Sequence, residues 1–477
     1  MIAVRAPHID RTGSIAIGGL LLLGAAAELV LGDSAARNRI DLLTLFVVAA
    51  AFSLSFAFWR QAVYGALVIV FVEGYFRNLF DDPGVLLLKD LVVLAIYLRV
   101  ITDRVQRRDS LLPSNPIGLP LAVFASIVIV QMANPHVTSF EQSLVGVRTW
   151  LYYVPLFFVA QEMIRDEKDI RRIAWFILIS AVPVGLLGFY QYLAGSQAYA
   201  NLGPGFANAT FIVGDGASII FRPNATFAWP SQFALFLSLA TLLCMGLLLG
   251  SSGGKRWLLW SLLAALIIIN VIENQRSLLV LLPPLMLMTV ALRKSVGTAT
   301  LASLAMLLGI VVVALIASPG TFTRVDGLIR NQDGIFYART MTYAEHLRLA
   351  LRSPIGLGTG ATAIGTRYVT GDIPLFVEFS LAKVAGDLSA VGLVVYLWLF
   401  AALLRTTFVA HRLAARAGQV AAAGLCAATF SFQLLVAYAG YDLAVVALPF
   451  WFLSGAVVRF ASDPALSPLT ARGARTS

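Results

Sequence analysis

Fourteen runs of apolar residues, most of them long enough to cross a membrane as a helix, dominate this chain of 477 residues. They lie near 14–31, 40–58, 61–76, 85–101, 117–133, 145–164, 173–194, 227–249, 257–273, 278–293, 299–317, 387–405, 419–437 and 443–460. A helix rises about 1.5 Å per residue, so about 20 apolar residues cross a hydrocarbon layer roughly 30 Å thick. The runs near 61–76 and 278–293 are short, which sets the expectation at about twelve to fourteen spans. Apolar residues make up 59% of the chain and charged residues 13%, and no soluble core of this length hides so much apolar surface. The runs are continuous rather than alternating, which excludes an outer-membrane barrel. The expected class is all-α: a polytopic transmembrane helical bundle forming one membrane domain over 1–477.

The formal net charge of +10 is explained by topology before nucleic acid. With the N-terminus inside, the alternate segments assigned to the cytoplasm hold twenty-one Lys and Arg residues, against six in the external segments other than the longest. That bias places both termini in the cytoplasm. No basic patch interleaved with aromatics stands outside the apolar phase, so a nucleic-acid partner is not expected. Residues 1–30 carry Arg5, Arg11 and the Ala25-Ala26-Ala27 triplet, a pattern that resembles a cleavable signal. With so many spans behind it, an uncleaved first helix is the expectation. Cys244 and Cys426 sit inside apolar runs and read as packing residues.

Two external segments are long, about 195–226 and about 318–386. The second contains RTMTYAEHLRLALRSPIGLGTG at 339–360. Met341, Ala344, Leu347 and Leu351 recur at spacings of three and four, and so do Glu345, Arg348 and Arg352. This predicts an amphipathic helix over 340–352, lying on the membrane surface or against the bundle. Pro354 stops it, and Gly356, Gly358 and Gly360 follow. Backbone amides of a glycine-rich turn can hold an anion, although Gly-x-Gly-x-Gly is also an ordinary tight turn. A nucleotide P-loop is excluded, because no Lys-Ser/Thr follows the glycines.

Other arginines gather on the same expected side. Arg276 sits in Glu273-Asn274-Gln275-Arg276-Ser277 between two spans, Arg222 precedes the eighth span, and Arg148 lies at the outer end of the sixth. Each alone is compatible with snorkelling to the headgroups. As a set they point to an anionic ligand such as pyrophosphate.

Three ordered features carry a family resemblance: Arg276-Ser277 between spans, Arg339 opening the long loop with Pro354-Ile-Gly356-Leu-Gly358 behind it, and Asp387-Leu-Ser389-Ala-Val-Gly392-Leu393 entering the next helix. Together they resemble the O-antigen ligase and polysaccharide polymerase superfamily over about 140–460, with Ser389 where glycine is usual. The resemblance implies an inverting glycosyltransferase of the bacterial inner membrane, with its site on the periplasmic face. Its donor would be an oligosaccharide on undecaprenyl pyrophosphate, and it would need no cofactor, nucleotide sugar or metal. Partners would be the bilayer and the flippase and chain-length regulator of the same pathway.

By matching position, Arg276 and Arg339 are the expected cations against the pyrophosphate leaving group, where fixed positive charge stabilises developing negative charge. Charge and side add Arg222, Arg348 and Arg148, and the turn adds Gly356 and Gly358. Ligases of the superfamily place a histidine nine residues before the acidic position. Counting back from Asp387 gives Glu378, an acid as in many of the polymerases, and a carboxylate can take the acceptor hydroxyl proton in concert with attack. The expectation is therefore polymerase, with ligase or O-oligosaccharyltransferase as the alternative. Asp81-Asp82 in RNLFDDPG is the alternative base, or an ordinary turn. A lipid-linked glycan flippase is the competing class. Such transporters show repeated halves, and this chain shows no internal repeat.

Overall fold

The computed structural model describes residues 48–80, 85–110, 115–199, 220–251, 254–273, 275–292, 335–371 and 380–462, with short pieces at 202, 205–206, 211–213, 373–375 and 377. In chain order the helices are α1 (Val48–Ala57), α2 (Trp59–Phe80), α3 (Val85–Arg107), α4 (Gly118–Val130), α5 (Phe140–Leu151), α6 (Leu156–Met163) and α7 (Glu167–Ala194). A short antiparallel hairpin of β1 (Phe211–Val213) and β2 (Ile220–Arg222) follows, with Phe211 opposite Arg222. After it come α8 (Pro230–Leu249), α9 (Gly254–Glu273), α10 (Arg276–Ala291), α11 (Ile335–Leu351), α12 (Ser380–Arg416), α13 (Val420–Ala439) and α14 (Ala444–Ser462). The fold class is all-α and polytopic, with this hairpin the one sheet among the described residues.

Eight helices among the described residues are long and apolar enough to cross a membrane. They correspond to eight of the fourteen apolar runs. The runs near 40–58, 117–133 and 278–293 correspond to shorter apolar helices, and the run at 85–101 falls in α3, which carries Lys89, Asp90 and Arg99. The runs at 14–31 and 299–317 lie outside the described residues.

The chain divides into two compact units, residues 1–73 with 82–111, and residues 74–81 with 112–477. In the first, Lys89 is buried and its Nζ lies 2.7 Å from Glu73 Oε2. An ionisable side chain within apolar helices is costly unless paired, and α2 supplies that partner to α3. Arg99 pairs likewise with Asp103 one turn on, at 3.0 Å.

The second unit has its core in α8, α13 and α14, which are buried on nearly every face. Lipid tails are as apolar as leucine, so helices in a bilayer gain most where small residues allow close backbone approach. Gly246 of α8 and Gly424 of α13 provide this contact: a Cβ on Gly424 would lie 2.1 Å from the Gly246 carbonyl oxygen. Local signals set the helix ends. Asp166 caps α7 by accepting from Asp169 N at 3.0 Å, Ser139 caps α5 through Gln142 N at 3.1 Å, and Pro230 opens α8.

Three contacts fix the helix directions. Gly246 faces Gly424, Thr289 Oγ1 meets Ser431 Oγ at 2.8 Å, and His411 places its ring nitrogens 2.9 Å from both the Ala423 and Leu292 carbonyl oxygens. Helices α8, α10 and α12 therefore all run antiparallel to α13. The starts of α8, α10 and α12 share one end of the unit with the end of α13.

The close approach of α8 and α13 makes a direct prediction. Gly424→Leu should lower the stability of the detergent-solubilised protein by about 1–3 kcal/mol or more through overpacking. Gly65→Ala, where a Cβ would meet nothing within 4 Å, should raise it slightly, because alanine is the better helix former. Thermal unfolding followed by size-exclusion chromatography measures both, and equal effects from the two changes would refute the packing account.

Candidate functional site

The two motifs separated by about 30 residues in sequence form one structural knot. Asp387, in the second turn of α12, is fully buried. Its Oδ2 accepts from Trp150 Nε1 at 2.8 Å and from Gly360 N at 3.3 Å, and its Oδ1 accepts from Thr362 N at 2.8 Å. A buried carboxyl group is tolerable only with such donors. Two come from the turn behind Pro354 and one from α5. The glycine turn does hold an acidic group, and that group is the protein's own side chain.

The glycines take the backbone where this geometry needs it. Gly356, Gly358 and Gly360 have φ of 75°, 84° and 88°, the left-handed region that residues with a Cβ rarely enter. The turn is tied down on both flanks. Leu357 N donates to the Gly386 carbonyl at 2.7 Å, and Thr359 N donates to the Gln131 carbonyl at 3.3 Å. Gln131 Nε2 and Asn134 Nδ2 both donate to the Ile355 carbonyl at 2.9 Å. Gly356 and Gly358, expected as ligand donors, thus have a demonstrable structural task.

At Ser389 the long helix α12 breaks, with φ 71° and ψ 178°. This region is nearly exclusive to glycine. The break divides α12 into a first segment, 380–388, and a long second one, 390–416.

The expected site residues fall as follows. Arg276 opens α10, with Gln275 as its N-cap, and Arg339 lies in the second turn of α11. Arg348 is exposed near the end of α11, and Arg148 is half-buried on α5. Glu378, Asp81 and Asp82 lie outside the described residues. Helix α11 spans Ile335–Leu351, against 340–352 expected, and packs on α12. Of its anticipated apolar stripe, Met341 and Leu351 are 48% and 43% exposed, while Tyr343, His346 and Leu347 are half-buried. Tyr343 Oη lies 3.1 Å from Tyr438 Oη at the end of α13, which brings the helix carrying Arg339 to the end shared with Arg276.

Arg222 is already committed. Its Nη2 donates to Glu273 Oε1 at 2.6 Å and to Gln275 Oε1, and its Nε donates to the Glu273 carbonyl at 3.3 Å. Glu273 Oε2 also accepts from Gln275 N at 3.0 Å. Glu273 is fully buried, so this ion pair joins the β2 hairpin to the α9–α10 corner and sets the start of α10 at Arg276. There is a second buried pair: Lys383 Nζ is 2.7 Å from Asp442 Oδ2, joining α12 to the α13–α14 connection.

No family model matches the chain, and no curated protein matches it.

Sequence reasoning named Arg222 and Glu273 without pairing them, and named neither Lys383 nor Asp442. The available signal was the same each time: a charged residue at the edge of an apolar run, which needs an opposite charge from another element. Trp150, Gln131 and Asn134 gave no signal, because their partners are 237, 224 and 221 residues away in sequence.

Two stability tests follow from these contacts. Ser389→Gly should raise stability by about 1–3 kcal/mol, the cost of holding a side chain at this backbone geometry; an unchanged thermal midpoint would mean the position carries no strain. Arg222→Ala should cost about 3–5 kcal/mol, because it leaves the buried Glu273 carboxyl without its cation. The double variant Arg222→Ala/Glu273→Ala should lose less than the sum of the two single changes. Strict additivity in that cycle would show that the pair does not couple.

Proposed function

We propose that this chain is a bacterial surface-polysaccharide polymerase of the O-antigen ligase and polysaccharide polymerase superfamily. In this reading it lies in the inner membrane with both termini cytoplasmic. It transfers glycan from an undecaprenyl-pyrophosphate carrier to an acceptor sugar hydroxyl at the periplasmic face, with inversion. The observation that carries the reading is the shared end of the second unit. The start of α10 with Arg276, the helix α11 with Arg339 and Arg348, and the start of α12 behind Glu378 are all linked to that end by sequence or contact. The leaving group is a lipid pyrophosphate, so arginines fixed at one bundle end suit the charge that develops as its bond to the sugar breaks.

In this mechanism Arg276 and Arg339 bind the pyrophosphate oxygens as the anomeric C–O bond breaks. Glu378 takes the proton of the acceptor hydroxyl as the new glycosidic bond forms on the opposite face of the sugar. The acid at 378, in place of a ligase histidine, is the reason for reading a polymerase. The glycine turn and Asp387 support the site without touching substrate.

Lipid-linked material that accumulates when the protein is absent tests the reading. Single repeat units on the carrier are the expected result. Full-length polymer on the carrier would identify a ligase instead, and no external accumulation would identify a flippase. Restored cells carrying Arg276→Ala or Arg339→Ala should make no polymer at normal protein level. Normal polymer from both would overturn the site assignment.

A further inference from the structure

We propose that the buried Lys383–Asp442 ion pair is a positioning device for the end of the bundle that the proposed reaction uses. The inference rests on the reading above and names residues outside the motif positions that carry the resemblance and outside the arginine set. The first segment of α12, 380–388, is held at two points one helical turn apart, Lys383 and Asp387. Asp387 grips the glycine turn and Trp150. Lys383 grips Asp442, with side-chain exposures of only 10% and 7%.

The location of the pair decides its role. Asp442 lies four residues after Tyr438, in a connection bent at Gly440 with φ of 87°, where a Cβ would meet Asp442 Oδ1 at 2.9 Å and Ser380 Oγ at 3.2 Å. Tyr438 in turn meets Tyr343 of α11. One chain of contacts therefore runs from the start of α12 through Asp442 and Tyr438 to the helix that carries Arg339 and Arg348. The break at Ser389 separates this short segment from the remainder of α12, so its direction is not dictated by the long transmembrane part. Something else must fix it, and the ion pair supplies a specific contact at its start.

A buried ion pair is a poor source of net stability, since apolar residues of similar volume often do as well. Its geometric demand is another matter: Nζ and the carboxyl oxygen must meet, and only one register of the two segments allows it. Misplacement of a reacting group by about 1 Å can lower a rate by about 100-fold.

The test uses the full-length protein in lipid nanodiscs, with the lipid-linked oligosaccharide recovered from cells lacking the protein as donor. Lys383→Ala and Asp442→Ala should each lower kcat by about 10–100-fold, with the donor KM changed by no more than about threefold. The exchange K383D/D442K should recover at least about tenfold of the loss. The apolar pair Lys383→Met/Asp442→Leu should keep the thermal midpoint of the native protein while kcat stays low. Native kcat in the single variants or in the apolar pair would overturn the proposal. So would losses that follow the thermal midpoint alone, with no recovery on exchange. If the native protein itself transfers no glycan from this donor, the proposed function fails first and the positioning role fails with it.

Discussion

The carboxyl group of Asp387 is the constraint around which the second unit is arranged. It is fully buried among apolar helices, and an unsatisfied carboxyl there would cost several kcal/mol. Three N–H donors meet it, and only one comes from a neighbouring helix. The other two are backbone amides, which a regular helix cannot offer because its amides are bonded internally. The chain must therefore bring an irregular segment into the bundle. Irregular backbone buried inside a helical bundle is tolerated only where protein satisfies it. That requirement accounts for the positive φ of the glycines and for the side chains of Gln131 and Asn134 donating to the Ile355 carbonyl. The carboxyl group and the turn need each other.

The polar knots also divide the labour of the unit. Away from them, α8, α13 and α14 meet largely through small residues and apolar side chains, and polar contacts between helices, such as Thr289 with Ser431 and Gln433 with Ser454, are single bonds between neutral groups. Towards the shared end, Arg222 with Glu273 fixes the α9–α10 corner and Lys383 with Asp442 fixes the start of α12. Each of these pairs joins elements more than 50 residues apart in sequence. Dispersion forces alone are weak selectors of register between smooth helices in lipid. Charge pairs and hydrogen-bonded turns are strong ones, because a shift of one residue breaks them outright. An end of the bundle that had to hold reacting groups in register would call for this kind of anchoring.

The apolar runs were legible because bilayer thickness imposes a length that composition alone reveals, and α7, α8, α9 and α13 follow their runs closely. The helix behind Arg339 was legible too, but not the face it turns inward. The stripe of Met341 and Leu351 is exposed, and Tyr343, His346 and Leu347 are partly covered. In a soluble protein the apolar face of a helix is the buried one. Beside lipid that rule loses force, because an apolar side chain gains little from leaving one apolar environment for another. The inward face is instead chosen by polar groups with partners, here Tyr343 with Tyr438. The order of the Pro-Gly-x-Gly and Asp-x-Ser motifs was visible in the sequence, but that one grips the other was not. A contact from residue 360 to residue 387 leaves no local periodicity to read.

Ser389 shows how these constraints meet in a single residue. Immediately after the carboxyl-bearing turn, the chain must leave one helical direction and begin another, and the amide of Ser389 lies where a Cβ on Gly356 would come within 2.7 Å. The turn and the break are in backbone contact, so neither can move without the other. Strain at such a position persists only where the surroundings over-determine it. Here the surroundings are Asp387 two residues earlier, the Gly386 carbonyl accepting from Leu357 N, and Lys383 held by Asp442. A serine side chain survives at a glycine-like geometry because the segment before it is pinned at both turns. The same pinning would give the shared end its stiffness, so the strained residue and the proposed positioning pair are two consequences of one short, doubly anchored helix.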